Sequence, residues 1–237
     1  MLALLDHRAP LSAEQSLEAH GYRVLRLPSH PMLPPPVSAH ADLLFFFAPT
    51  ETLSEKSYFG IAKDVLMEIA SKTKKPLRLI REELGDIYPR DVPLNAVLVG
   101  ERLFCNPKTV ANRIRISLMD EKTVFVKQGY TKCSILPVGD RALITEDTAI
   151  AALARQNGFD VLQIEKGNVS LPGYDTGFLG GAASFSPYQK SNEILFCGSL
   201  EQHPNGDAVK VFCKKHQKEV VPLGEFPLLD VGTLFLI

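Results

Sequence analysis

Residues 133–164 read CSILPVGDRALITEDTAIAALARQNGFDVLQI, and this stretch contains the pattern that decides the fold. Two short apolar runs flank the turn Gly139-Asp140, which predicts a β-hairpin. The following segment has the composition of a capped helix and ends at Gly158, because glycine suits the left-handed position after a helix. The apolar run 160–164 predicts a third strand. The stretch is therefore one ββαβ unit.

The same order of elements recurs along the chain. Residues 95–126 contain NAVLVGERLFC, which predicts a second hairpin, followed by a short helix and the strand TVFV. Looser copies cover residues 43–80 and 177–223, and the second of these begins with the expected strand GFLGGAAS at 177–184. Self-similarity of this kind is typical of repeat architectures.

The fifth copy is divided between the two ends of the sequence. VGTLFLI at 231–237 has the character of a first strand with nothing after it, whereas residues 1–27 supply a second strand, a helix and a third strand. Joining the two segments completes the repeat and removes the exposed edges that an open solenoid would have to cap. We predict an α/β fold, a closed five-bladed propeller of ββαβ repeats in a single domain, 1–237. An ordinary α/β sheet with parallel crossovers is the alternative.

Composition narrows the classes of partner. The 237 residues are 45% apolar and 22% charged, which is typical of a globular protein, and the net charge of −1 disfavours a nucleic-acid partner. No stretch is apolar enough to span a membrane, so no membrane partner is expected. The four cysteines form no CxxC pair and no leader precedes them, so we expect reduced thiols and a cytoplasmic protein. No spacing indicates a metal or an organic cofactor, and oligomeric state is left open.

Five loops lead into the first strands of the repeats, and in a closed ring they would meet at the central axis. The chemistry-bearing residues of these loops are His40, Asp42, Asn95, Lys132, Cys133, Asp175 and Asp230. Such a set fits a nucleophile with a base and carboxylate anchors. Each residue also has a structural interpretation: Cys133 as a small buried side chain, His40 as a cap or a solvated group, and the aspartates as turn formers.

Five ββαβ units around an axis resemble the pentein family, the guanidine-modifying enzymes that include arginine deiminases, dimethylarginine dimethylaminohydrolases and amidinotransferases. The family motif is an acidic residue, a His (often His-x-Asp) one repeat later, and a Cys two repeats after the His. His40-Ala41-Asp42 and Cys133 follow this order in permuted form, and Asp230 takes the acidic position. The segments GYDTGFLGGA, QGYTKCSILPV and LLDVGTLFLI resemble an uncharacterised bacterial family with this fold.

The sequence also departs from the family pattern. Cys133 lies in the middle of the chain rather than near its C-terminus, and Asp230 stands where the enzymes have a longer Glu followed by Gly-Gly-Asp. The chain is short and leaves little length for a lid.

The resemblance implies a mechanism. Cys133 would attack the central carbon of a guanidinium and form a covalent thiouronium-type intermediate. His40 would protonate the leaving group and then activate water, and Asp230 would orient His40. Asp175 and Asp42 would hold the planar cation by charge-assisted hydrogen bonds.

Two further junction residues complete the expected substrate site. Asn95 is expected to contact the substrate. Lys132 either favours the thiolate form of its neighbour Cys133 or points to solvent.

Three functions remain open at this point. The first is a cysteine-dependent hydrolase or transferase acting on a guanidino or amidino compound, with that small molecule as its partner. The second is a non-catalytic binding protein of the same fold, for a small molecule or a protein. The third is a structural protein whose axis binds nothing.

Overall fold

The computed structural model describes residues 1–118, 122–188 and 191–237, in which short strands alternate with helices. The strands are β1 (Leu2–Asp6), β2 (Arg23–Leu27), β3 (Phe45–Phe47), β4 (Thr52–Ser54), β5 (Leu77–Leu79), β6 (Val97–Val99), β7 (Arg102–Cys105), β8 (Thr123–Phe125), β9 (Leu136–Gly139), β10 (Ala142–Thr145), β11 (Asp160–Gln163), β12 (Ser184–Phe185), β13 (Glu193–Phe196), β14 (Glu219–Pro222) and β15 (Leu234–Leu236). The helices are α1 (Leu11–Ala19), α2 (Ala41–Leu44), α3 (Lys56–Ile61), α4 (Lys63–Thr73), α5 (Asn112–Leu118), α6 (Thr148–Gln156) and α7 (Gly206–Lys215).

In this part of the chain the strands form five sheets that share one plan. In four of them an antiparallel pair of strands is followed by a helical segment and a third strand parallel to the second. These sheets are β3-β4-β5, β6-β7-β8, β9-β10-β11 and β15-β1-β2. In the remaining sheet β13 and β14 are parallel, and a single antiparallel bridge from Ala183 to Phe196 takes the place of the first strand. A parallel pair needs a crossover connection, which the helices supply. The ββαβ repeat expected from the sequence is present.

The first and last strands of the chain lie in one sheet. β15 is antiparallel to β1, with Ala3 opposite Leu236. The amide of Leu2 donates to the carbonyl of Ile237 at 2.7 Å, and the return bond measures 2.9 Å. On its other side β15 pairs with β12 of the preceding repeat. The terminal strands therefore pair as the sequence predicts, whereas closure of all five sheets into one ring, and a single domain over the whole chain, stay predictions.

The fourth repeat begins differently from the expected strand at 177–184. Only Ser184–Phe185 is strand, and the residues before it form turns in which the amide of Gly181 donates to the carbonyl of Phe178. The amide of Phe178 donates to the carboxylate of Asp230 at 2.9 Å instead of to a neighbouring strand. A Cβ at Gly181 would lie 2.1 Å from an Asp230 oxygen, so this approach requires glycine. The segment is a loop folded around a buried carboxylate.

The apolar core joins distant parts of the sequence. The ring of Phe235 in β15 lies 4.8 Å from that of Phe47 in β3 and 5.9 Å from that of Phe185 in β12, all as centroid distances. Three repeats are thus packed together at one aromatic contact. Among the described residues, no helix has both the length and the apolar character needed to cross a bilayer.

The Phe235→Ala variant tests the contribution of the terminal strand. Phe235 is buried, so removing its ring leaves a cavity and should lower the free energy of unfolding by about 3–5 kcal/mol. The matched control is Phe125→Ala, because the Phe125 side chain is 46% exposed. Urea unfolding of both variants is the measurement. Equal losses of stability would contradict the packing of the last strand described above.

Candidate active site

Cys133 lies in a compact turn between β8 and β9. The amide of Ser134 donates to the carbonyl of Tyr130 at 3.0 Å, which closes the turn. The side-chain oxygen of Asn95 accepts from the amide of Lys132 at 2.7 Å, and its nitrogen donates to the Sγ atom of Cys133 at 3.1 Å. Asn95 therefore fixes both the turn and the orientation of the thiol, which is a positioning role rather than a position in the cavity lining.

Asp42 is the acceptor for the thiol. It lies in α2, where its backbone amide donates to the carbonyl of Gly232 at 3.0 Å. Its Oδ2 atom accepts from Cys133 Sγ at 3.2 Å and from the hydroxyl of Thr233 at 2.8 Å. Its Oδ1 atom is buried and has no hydrogen-bond partner. One carboxylate oxygen beside the thiol is therefore unpaired, and Asp42 lies behind the thiol rather than in the cavity lining.

His40 lies between two buried carboxylates. Its Nδ1 atom is 3.8 Å from Asp230 Oδ1, and its Nε2 atom is 3.9 Å from Asp6 Oδ2. Asp230 is itself fixed by the amides of Phe178 and Gly232, each at 2.9 Å. Gly232 has φ +71°, and a Cβ there would lie 2.2 Å from the Cβ of His40. A side chain at position 232 would clash with His40, so the position of the imidazole beside Asp230 requires Gly232.

Lys132 is almost completely buried, so the interpretation that it points to solvent is wrong. Its Nζ atom donates to the carbonyl of Gly180 at 3.2 Å and to the hydroxyl of Thr233 at 3.0 Å. Burial lowers the pKa of Lys132, while the nearby Asp42, Cys133 and Asp230 raise it. Thr233 connects this amine to Asp42, so the lysine acts behind the thiol rather than on the cavity wall.

The electrostatics of the site hold the thiol in its neutral form. Burial raises the pKa of Cys133 well above its usual value, and the charges of Asp42 and Asp230 raise it further, whereas the hydrogen bond from Asn95 lowers it. The pKa of the Cys133 thiol is therefore raised, contrary to the lowering by Lys132 that the sequence suggested. Burial also raises the pKa of Asp230, although the charge of His40 opposes this. In the free protein, deprotonation of the thiol is disfavoured because the thiol is buried and the charges of Asp42 and Asp230 are negative.

The thiol faces a cavity of about 240 Å³. Cys133, His40 and Asp230 contribute polar atoms to its wall, together with Gln128 and Thr176. The remaining wall is apolar and aromatic: Val37, Leu43, Tyr130, Leu171, Tyr174 and Phe178. The structure therefore brings a nucleophile, an imidazole and a carboxylate to one small cavity. Within the described residues, no group of three or more His, Cys, Asp or Glu side chains could hold a metal ion.

Asp175 does not join this cluster, which corrects the expected position of one carboxylate. It is exposed and lines a separate cavity of about 260 Å³ with Ser199 and His203. The amide of Tyr174 donates to the carbonyl of Leu171 at 3.0 Å, and this turn brings Tyr174, the neighbour of Asp175, to the wall of the Cys133 cavity.

Several buried acidic groups near the site were not expected from the sequence. Asp6 faces His40, and the guanidinium of Arg8 binds it through two nitrogen atoms. Glu146 is buried, its Oε1 atom has no hydrogen-bond partner, and burial followed by the charge of Asp230 raises its pKa to about 7. A signal for these groups was present, because a polar residue stands at or directly after the second strand in four repeats. These residues are Asp6, Glu55, Asn106 and Glu146.

The stability of the Glu146→Gln variant relative to the parent protein should increase with rising pH, because the parent loses stability. The pKa of Glu146 is raised from 4.5 to about 7, so the folded state favours the protonated acid. That contribution to stability is complete below pH 4.5 and is lost as the pH rises through 7. At pH 8 we expect the variant to exceed the parent in free energy of unfolding by up to about 3 kcal/mol, and at pH 4.5 by little. Urea unfolding at both values, with the exposed Glu165→Gln as control, is the measurement, and an equal difference at both values would contradict it.

Comparison with known proteins supports the fold expected from the sequence. C. jejuni agmatine deiminase is 8% identical, with a TM-score of 0.56 over 94% of this chain and 86% of that chain. A mutant dimethylarginine dimethylaminohydrolase from Pseudomonas aeruginosa, in complex with citrulline, is 10% identical, with a TM-score of 0.54 over 93% of this chain and 91% of that chain. SxtG, an amidinotransferase from Microseira wollei, is 11% identical, with a TM-score of 0.52 over 97% of this chain and 93% of that chain.

At these identities the likeness is one of fold. The chain has a mixed α/β fold that matches pentein-fold structures, as its repeats indicated. No curated protein matches the sequence. A family model described as a family of unknown function (DUF6873) matches residues 4–235, nearly the whole sequence. The chain therefore belongs to the family DUF6873.

Proposed function

We propose that this chain is a cysteine-dependent hydrolase or transferase that acts on a guanidino or amidino compound. The observation that carries the proposal is the contact of Cys133 Sγ with the buried carboxylate of Asp42, behind the wall of a cavity that Cys133, His40 and Asp230 line. The fold shared with a deiminase, a dimethylaminohydrolase and an amidinotransferase supports the same class of chemistry.

Asp42 and Asp230 are the anchors that we assign to the cation. A guanidinium is planar and carries its N–H donors in one plane, so carboxylates hold it by charge-assisted hydrogen bonds. Asp42 Oδ1 has no other partner, and Asp230 lies on the cavity wall. Asp175, which faces a different cavity, is left out of this role.

The substrate's own charge activates the nucleophile. Burial raises the pKa of Cys133 in the free protein, and the negative charges of Asp42 and Asp230 raise it further. A bound guanidinium compensates both charges, so it removes that part of the rise and favours the thiolate. The thiolate then forms only when a cationic substrate is present, which protects a buried thiol from side reactions.

The reaction proceeds in two stages. The Cys133 sulfur forms a bond to the guanidinium carbon while His40 takes the thiol proton, and a C–N bond breaks as His40 returns that proton to the departing ammonia or amine. This leaves a thiouronium on Cys133. In a hydrolase, water attacks the same carbon and gives one proton to His40, which passes it to the Cys133 sulfur as the C–S bond breaks; the second proton of the water passes to solvent, and a neutral ureido product leaves. In a transferase, an acceptor amine replaces the water. Asp230 orients His40 throughout.

A non-catalytic binding protein of the same fold is the second candidate. The low exposure of Cys133, 3%, and its raised pKa favour this alternative, because both make the thiol a poor nucleophile until a cation binds. The two functions differ in whether the thiol forms a covalent bond to the ligand.

Covalent labelling separates these candidates. The cationic electrophile chloroacetamidine should modify Cys133 at least about tenfold faster than neutral iodoacetamide does, because only the cation compensates the two carboxylates. The other cysteines serve as internal controls, since burial raises the pKa of Cys105 to about 11 and those of Cys197 and Cys213 to about 12. Mass spectrometry of the labelled peptides is the measurement. Slow labelling without preference for Cys133 would favour the binding protein.

A pair of aspartate substitutions tests the anchor. Asp42→Asn keeps an oxygen acceptor but removes the charge, so it should weaken binding of the tightest member of a guanidino panel by about 10- to 100-fold. Asp175→Asn is the matched control and should leave the affinity within about twofold. Isothermal titration calorimetry is the measurement. If both substitutions reduced affinity equally, the cation would be bound elsewhere.

A further inference from the structure

We infer that the substrate is a small guanidine or amidine with an uncharged, apolar tail, and not an amino acid. This rests on the proposed function, and it concerns the part of the ligand that extends away from Cys133. The observation that carries it is the composition of the cavity wall beyond the reacting groups.

That part of the wall is mostly aliphatic and aromatic, and its polar residues Gln128 and Thr176 are uncharged. Leu43, Leu171 and Val37 supply aliphatic surface, and Tyr130 and Phe178 stack with ring centroids 6.2 Å apart. The hydroxyl of Tyr130 donates to the buried carboxylate of Asp91, and this hydrogen bond fixes the orientation of the Tyr130 ring at the cavity wall. Burying an alkyl or aryl tail here removes apolar surface from water on both partners.

The wall contains no lysine or arginine among the described residues that line it. The nearest cationic group in the adjoining cavity is Arg8, on the other side of His40, and its guanidinium is already bound to Asp6 and to the carbonyl of Pro35. A carboxylate on the ligand would therefore be desolvated without a cationic partner, which is costly. It would also approach Asp230 on the cavity wall.

A second cationic group on the tail is disfavoured too. Asp230 supplies the carboxylate that lines the cavity, and in the proposed function it already binds the guanidinium and orients His40. The carboxylate of Asp91 accepts from Tyr130 and is not part of the wall. A tail ammonium would therefore lie against aromatic and aliphatic side chains after losing its water.

The volume sets the size of the ligand. About 240 Å³ lies below the roughly 300–1,000 Å³ of pockets that hold drug-sized ligands. The cavity suits a guanidine or amidine with a short alkyl chain or one aromatic ring. Tyr174 is 44% exposed at this wall and is therefore the residue through which the tail preference can be altered.

A matched ligand series tests the inference by calorimetry on the full-length protein. The probes are butylguanidine, guanidinobutyrate, agmatine and butylamine, which share a four-carbon tail or a close equivalent. Butylguanidine should bind at least about tenfold more tightly than guanidinobutyrate or agmatine, because neither charged tail finds a partner. If guanidinobutyrate or agmatine bound as tightly as butylguanidine, the inference would fail while the proposed function stood. If butylguanidine bound no better than butylamine, the guanidinium site itself, and with it the proposed function, would fail.

A substitution at the cavity wall supplies an independent test. Tyr174→Lys adds the missing cation, so it should improve guanidinobutyrate binding by about tenfold relative to butylguanidine. Ile61→Lys adds the same charge at an exposed position outside the cavity lining and should not change the ratio. An unchanged ratio in Tyr174→Lys would overturn the assignment of this wall to the tail.

Discussion

The carboxylate of Asp42 is the group on which the rest of the site depends. It is buried, and it accepts from the Cys133 thiol and the Thr233 hydroxyl, which come from two other repeats of the chain. A buried carboxylate is costly unless its oxygens are satisfied, so the three segments must be placed together. Because Thr233 precedes β15, the pairing of β15 with β1 is what brings it there. The same pairing holds Asp230 beside His40.

Burial determines how such a site behaves as well as where it lies. The apolar surroundings and two carboxylates keep the Cys133 thiol protonated, and burial disfavours the charged form of Lys132. In the proposed function, a cation entering the cavity would compensate the two carboxylates but would leave the burial of both groups unchanged. The proposed preference for a cation thus rests on the same carboxylates that hold the loop segments in place.

The sequence alone predicted the repeat, the pairing of its ends and most of the junction residues. His40, Asp42, Cys133 and Asp230 were identifiable because each precedes a first strand, and topology brings such positions together. Asp175 occupies an equivalent place in the sequence, but a turn at 171–174 brings its neighbour Tyr174 to the cavity instead. Whether residue 174 or residue 175 lines the cavity depends on the backbone geometry of this turn, which residue types alone do not reveal.

The prediction of a strand at 177–184 was wrong for a related reason. Gly177 and Gly181 accommodate the Asp230 side chain there, and Gly180 lets the backbone approach that of Cys133 and Ile135; these contacts join segments far apart in sequence. Glu146 and Asp6 lay outside the first-strand loops and were missed, although both stand at the ends of second strands. Long-range packing, not local propensity, decides which polar residue is buried next to which.

The pairing of the first and last strands has a consequence for folding in the cell. The antiparallel partner of β1, β15, is synthesised about 230 residues after it, which takes roughly 10–50 s at ordinary elongation rates. During that interval one edge of β1 has no partner and remains open to wrong pairing, including with another nascent chain. Long-range strand pairing of this kind is slow and exposes aggregation-prone surfaces. Newly made chains therefore carry this open edge until the last strand arrives.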